Sequence, residues 1–454
     1  MASLDRKIKP IESGSINFSL PKIHHDELNN GLKVFFVHKD KLPITKLNLI
    51  ISAGSRYDAY GLEGISYLTA LLADEGTKGY NALEFDDEID KLGSAIDIST
   101  NTDNVFISLL SLEENFERSL ELYSKILTEP RFDEESFERE KKKHLTKIIQ
   151  SFDDASYIAA NAFQKMIFKN TFYEFPTLGN TKSVTALTNK DVIDFNHKFY
   201  NSSDAKLVVV SNIPKDKIFA MLNKYLAGWQ IKNKIGNQHI PVVNKKAKIY
   251  FIHKDGAAQT EIAAGHLIPK RSKIDYYSAV LANSILGGQF SSRINLNLRE
   301  DKGYTYGASS SFSFNKEIGY FSLSTSVQSE ATLQSIKEID KEINGLRDFI
   351  SEEELAFTKS YLIKRFPSLF ETYSQVAQHL SSKIVFNLPD DYFDKYIESI
   401  SDISLGQVKE AAVKYLQPEN MLYFLVGNKE LIWDELKNND LFEVVEMDKF
   451  GNLI

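Results

Sequence analysis

A chain of 454 residues, 43% hydrophobic and 26% charged, has the composition of a soluble globular protein and is too long for one ordinary core. It has no cysteine, which excludes thiolate-bound zinc, a cysteine nucleophile and any disulfide framework; 30 Phe and 21 Tyr supply core material without such staples. A net charge of −8 argues against a nucleic-acid partner, and no apolar run reaches the ~18 residues of a membrane span.

Residues 1–24 carry Pro10 and Gly14 and read as an extended arm. Met1 to Lys7 lacks the apolar stretch of a signal peptide. The compartment stays open: cytoplasmic by default, periplasmic if a signal peptide has been removed. Next comes a β-rich stretch, Lys33-Val34-Phe35-Phe36-Val37-His38-Lys39-Asp40, which recurs as Lys248-Ile249-Tyr250-Phe251-Ile252-His253-Lys254-Asp255, an offset of 215. Near the end of each half, Tyr200 with Lys206 to Asn212 faces Tyr415 with Met421 to Gly427, again at 215. Two matches at one offset indicate internal duplication.

Each copy has the same order of elements. A second strand follows the first (Leu47 to Ser52; Glu261 to Leu267), then an amphipathic helix. In the first copy Ile65, Leu68, Thr69 and Leu72 share a face; in the second, Ser272 is expected to cap a helix ending at Gly287-Gly288. Asn81 with Glu84 opens a further helix, Val105, Ile107 and Leu109 alternate as a hairpin strand, and Asp133 starts another helix after Pro130. The expected fold is α+β: two homologous domains, 25–228 and 246–454, each a mostly antiparallel sheet with helices on one face, joined by a polar linker, 229–245.

Several stretches resemble the pitrilysin/insulinase-type zinc metallopeptidases (inverzincins), particularly the non-catalytic subunits of half-size heterodimeric members, bacterial or of the mitochondrial processing peptidase. They are Asn30-Gly31-Leu32-Lys33-Val34, Ala53-Gly54-Ser55-Arg56-Tyr57-Asp58, Glu75-Gly76-Thr77, Leu286-Gly287-Gly288-Gln289-Phe290-Ser291-Ser292-Arg293, and Leu298-Arg299-Glu300-Asp301-Lys302-Gly303-Tyr304-Thr305-Tyr306-Gly307. In catalytic members H-x-x-E-H on the first helix supplies two Zn²⁺ ligands and a general base, and a Glu on a later helix completes the site. Here Tyr67, Ala70 and Leu71 stand at the H-x-x-E-H positions, and Thr146, Lys147 and Ile148 surround the third-ligand position. In the second copy the same positions are Ala282, Ile285 and Leu286, and no two histidines have i, i+4 spacing. The resemblance therefore implies no metal on this chain, and Zn²⁺ in a partner.

What persists is the family's Arg and Tyr seven residues apart, Arg299 and Tyr306, which the resemblance places against the substrate in trans. Arg299 would orient substrate and Tyr306 would stabilise the oxyanion; alone, Arg299 could simply pair with an acid such as Asp301, and both tyrosines could pack. Gly287 and Gly288 form a candidate substrate loop, or a plain helix stop. The implied function is a non-catalytic, peptide-binding subunit, not an enzyme on its own, that completes the active site of an H-x-x-E-H-bearing homologous chain acting on unfolded peptides. A homodimer could form without that partner, and neither nucleic acid nor membrane is expected. A scaffold with no role in proteolysis is the alternative.

Overall fold

The structure, a computed structural model, describes residues 18, 20, 22–201, 203–230, 240, 241, 243 and 245–454. Most of the extended arm and of the 229–245 linker lies outside the described residues. Two six-stranded sheets form among them. The first contains β1 (Ile23–Glu27), β2 (Lys33–His38), β3 (Ile44–Ile51), β4 (Ala95–Thr100), β5 (Val105–Leu112) and β6 (Lys206–Ser211), in the order β1-β2-β6-β3-β5-β4. The second contains β7 (Lys248–His253), β8 (Gln259–Ile268), β9 (Thr305–Phe314), β10 (Gly319–Gln328), β11 (Leu422–Gly427) and β12 (Glu443–Met447), in the order β12-β7-β11-β8-β10-β9.

Local chemistry accounts for most boundaries. Asn81 accepts from the Glu84 amide at 3.0 Å while the Glu84 carboxylate accepts from the Asn81 amide at 2.9 Å, closing a capping box at helix Ala82–Lys91. Asp133 caps helix Glu134–Ser151 through the Ser136 amide at 3.0 Å. Val105, Ile107 and Leu109 alternate into the first core. Ser272, by contrast, caps nothing. It lies in a 3-10 turn, and helix Tyr276–Leu286 begins after Asp275, whose carboxylate is taken up by the Tyr415 hydroxyl at 2.9 Å.

The duplication is real but its offset is not uniform. Lys33 pairs with Lys206 across β2 and β6, whereas Lys248 pairs with Leu422 across β7 and β11. The late strand is thus shifted by 216, one more than the sequence match of 215. Period-two alternation explains the slip: a one-residue error would move every side chain to the wrong face. Val209 lies in the first core, and its true counterpart Leu425 lies in the second, while Phe424 points to the opposite side. The outer strands also differ, since β1 runs antiparallel to β2 but β12, from the C-terminal end, runs parallel to β7.

Each sheet carries helices of its own half on one face. The other face is covered by a helix from the opposite half. Helix Ala155–Ile167 lays Ile158, Ala162, Phe163 and Met166 against Tyr250, Leu267, Phe424 and Val426 of the second sheet. Helix Tyr373–Val385 lays Val376, Ala377, Leu380 and Ile384 against Val37, Ile50, Val208 and Val210 of the first. The approach is close enough that a Cβ on Gly265 of β8 would sit 2.9 Å from the Phe163 ring. A third tie is the turn between β9 and β10. The Lys316 amide donates to Asp103 at 2.9 Å, and Asp103 is also held by Arg56 at 2.9 Å and Tyr173 at 2.7 Å.

Candidate functional site

The helix that would carry the metal in a zincin is Ile65–Leu72. Tyr67 faces helix Glu134–Ser151, where its hydroxyl accepts from the Lys147 ammonium at 2.7 Å and its ring lies 4.7 Å from the His144 ring. Of the three residues around the third-ligand position, Lys147 is the one that reaches across. Ala70 is buried and Leu71 half-buried. A phenol, two hydrocarbons and an ammonium offer no donor set for Zn²⁺, and the fixed positive charge opposes a dication. His144, one turn away, is buried and donates through Nε2 to the Leu178 carbonyl at 2.8 Å; burial pushes its pKa down to about 4, so it stays neutral. Among the described residues no three His, Asp or Glu side chains are grouped to hold a metal. The second copy is equally unsuited, because Ala282, Ile285 and Leu286 are core residues.

Arg299 and Tyr306 occupy the opposite kind of setting. Both sit where the backbone departs from regularity. Residues Leu296–Asp301 form a π-helical turn, with the Lys302 amide donating to the Asn297 carbonyl at 3.0 Å; such turns recur at functional sites. Gly303, at φ +68°, ends it in a conformation that disfavours a side chain. In β9 the ladder to β10 pairs Thr305 with Val327 and Ala308 with Thr325, so Tyr306 and Gly307 together face only Ser326. This is a β-bulge, which re-aims a side chain. Thr305 clamps it, its hydroxyl lying 2.9 Å from the Gly307 carbonyl and 2.7 Å from that of Ser326. Tyr306 is consequently 91% exposed, whereas Tyr304 packs against the core.

The Arg299 guanidinium stacks on Phe290, Cζ lying 4.5 Å from the ring centroid, and its ionic contact is with Glu300 at 3.5 Å rather than with Asp301. Phe290 is itself 68% exposed. Buried Asn295 joins the pieces: its amide donates to the Phe290 carbonyl at 2.6 Å and its oxygen accepts from the Ala308 amide at 3.1 Å. The glycines beside Phe290 are demanded by packing. A Cβ on Gly287 would stand 2.4 Å from Ser310 Oγ, and one on Gly288 2.8 Å from Asn283 Nδ2. The loop's outward projection is Phe290.

The model for the insulinase (peptidase M16) family matches residues 33–181, and that for the peptidase M16 inactive domain matches 186–362, together well over half the chain. The chain belongs to the M16 peptidase family. It is a half-size member. Among its relatives, an uncharacterized zinc protease of Rickettsia felis is 26% identical over 76% of this chain and 82% of its own length. A protein of Helicobacter pylori described as the non-peptidase homolog YmxG is 21% identical over 89% of this chain and 94% of its own. A crystal structure of a peptidase M16 inactive domain from Pseudomonas fluorescens has the same fold, with a TM-score of 0.84 at 23% identity over 90% of this chain and 98% of that one. The two regions contrast: Tyr67, Ala70, Leu71 and Lys147 are taken up by contacts between helices, while Tyr306 is exposed and Arg299 half-buried against Phe290. Sequence reasoning singled out Arg299 and Tyr306 and placed Lys147 near the third-ligand position, but it gave Phe290 and Asn295 no role and missed the Lys147–Tyr67 contact, since a stacking, a buried amide bridge and a cross-helix contact leave no periodic signal.

Proposed function

We propose that this chain is the non-catalytic, substrate-binding subunit of a heteromeric M16 zinc peptidase, supplying Arg299 and Tyr306 to a site whose H-x-x-E-H and Zn²⁺ belong to a homologous chain. The observation that carries the reading is a contrast. The helix at the H-x-x-E-H positions is packed by ordinary fold contacts, yet an arginine and a tyrosine at the family spacing sit on a π-turn and a bulge, the tyrosine 91% exposed and the arginine half-buried over Phe290. When bound in the partner, Zn²⁺ supplies an activated water. In this chain the Arg299 guanidinium presents donors to a main-chain carbonyl or carboxylate of an extended peptide, and the Tyr306 hydroxyl donates to a carbonyl oxygen as it gains negative charge. Because both groups address main-chain oxygens, unfolded peptides of varied sequence are the substrate class.

The test is to mix the chain with the H-x-x-E-H-bearing homologue of the same organism and follow cleavage of a fluorogenic peptide. The reading requires zinc-dependent cleavage that appears on mixing and is lost with Arg299→Ala and with Tyr306→Phe. A homologue equally active alone, or two variants that change nothing, would make the chain a scaffold.

A further inference from the structure

Resting on that reading, we infer that Phe290 is a positioning residue that presets the Arg299 guanidinium for substrate. An arginine side chain loses much rotamer freedom when it docks on a ligand, so a platform that orders it beforehand favours binding. Phe290 is such a platform. The guanidinium lies over its ring at 4.5 Å, and the ring is 68% exposed, which leaves its apolar area without the usual reason for burial. Glu300, at 3.5 Å and itself exposed, holds the same guanidinium only weakly.

The backbone that carries the ring is anchored at three points. Gln289 on one side reaches the Thr358 hydroxyl at 3.4 Å. On the other, Arg293 grips the Glu354 carboxylate with two contacts of 2.6 and 2.8 Å. The Phe290 carbonyl is fixed at 2.6 Å by Asn295, the residue whose other end fixes the Ala308 amide just beyond the Tyr306 bulge. One buried amide therefore sets both the platform under Arg299 and the strand that presents Tyr306. A stacked guanidinium offers its N–H donors around its edge, in the plane where a carboxylate or carbonyl can meet them.

The experiment uses the full chain mixed with the H-x-x-E-H-bearing homologue, and the variants Phe290→Leu, Phe290→Tyr, Arg299→Ala and F290L/R299A. Phe290→Leu keeps apolar bulk but removes the ring. It should lower kcat/KM about five-fold, in whichever of kcat or KM Arg299→Ala moves. Phe290→Tyr should recover most of that loss, and the double variant should be no worse than Arg299→Ala alone. A full Phe290→Leu loss on top of Arg299→Ala, no loss at all, or no recovery with tyrosine overturns the inference while leaving the proposed function standing. An Arg299→Ala variant as active as wild type sinks both. The chain alone provides a second reading. The Arg299 Nε–Hε resonance, shifted by the ring in wild type, should move to the ordinary arginine position in Phe290→Leu; an unmoved resonance overturns the stacking.

Discussion

The ammonium of Lys147 lies 2.7 Å from the hydroxyl of Tyr67, joining the two helices that a zincin joins through its metal. A fixed positive charge thus sits between these helices, and Ala70 and Leu71 beside Tyr67 are hydrocarbon.

That arrangement can be reversed on paper and then in solution. The variant Y67H/A70E/L71H/K147E should gain Zn²⁺ binding, measured by calorimetry on the purified chain. The version that retains Lys147, Y67H/A70E/L71H, should bind roughly tenfold more weakly or worse, because an ammonium would face the cation at short range. Equal affinities would show that Lys147 does not occupy the metal's place.

Tyr306 gives a prediction about chemistry without a change in fold. It is 91% exposed, so Tyr306→Phe should leave thermal unfolding of the chain unaltered. In the mixed assay, loss of one oxyanion donor should lower kcat on the order of a hundredfold with little change in KM. A loss confined to KM would assign Tyr306 to ground-state binding instead.

Two buried histidines set a pH dependence. Burial lowers His144 and His266 to about 4, below the ordinary 6.5. A depressed folded-state pKa contributes stability that is present above 6.5 and lost as pH falls through about 4, since the unfolded chain takes the proton first. Between pH 7 and 5 each histidine should therefore cost about 2 kcal/mol. Asp58 and Asp74, raised by burial to about 8 and about 7, act in the other direction, favouring the fold most below their unfolded values and progressively less as pH rises. The histidine contribution is isolated by comparison: the urea stability gap between wild type and His266→Gln should shrink by about 2 kcal/mol on going from pH 7 to 5. A constant gap would mean that His266 is not the titrating group.

The exchanged helices predict how the molecule unfolds. Its two tryptophans report on separate cores, Trp229 in the first half and Trp433 in the second. Single-tryptophan variants, W433F and W229F, should each show a transition, and Phe163→Ala should shift both downward together by about 3–5 kcal/mol, because Phe163 belongs to the first half but packs on the second sheet. Separate transitions, or a shift in only one reporter, would mean that the halves unfold independently.

Much of this was legible in the residues. The alternation of Val105, Ile107 and Leu109, the capping box at Asn81 and the N-cap at Asp133 are local signals, and they survive because local chemistry sets them. The Arg299–Tyr306 spacing was equally readable. What escaped depended on partners far apart in the chain. Gly265 gives no hint that it receives Phe163, and helix Tyr373–Val385 has the same kind of apolar stripe whether it covers its own sheet or the other. The one-residue difference between offsets hid because both alignments match hydrophobic residues, and only strand register tells the faces apart. The π-turn and the bulge hid for a simpler reason: their sequences, Leu-Asn-Leu-Arg-Glu-Asp and Thr-Tyr-Gly-Ala, suit regular helix and strand equally well.

The helix exchange has a consequence on the ribosome. Synthesis completes the first sheet at Ser211, yet Val37, Ile50, Val208 and Val210 on its outer face wait for the helix that begins at Tyr373. At ordinary elongation rates that interval is roughly ten to thirty seconds. Throughout it the nascent chain carries an uncovered apolar surface, so the first half emerges as a client for chaperones and settles only when the last third of its own sequence arrives.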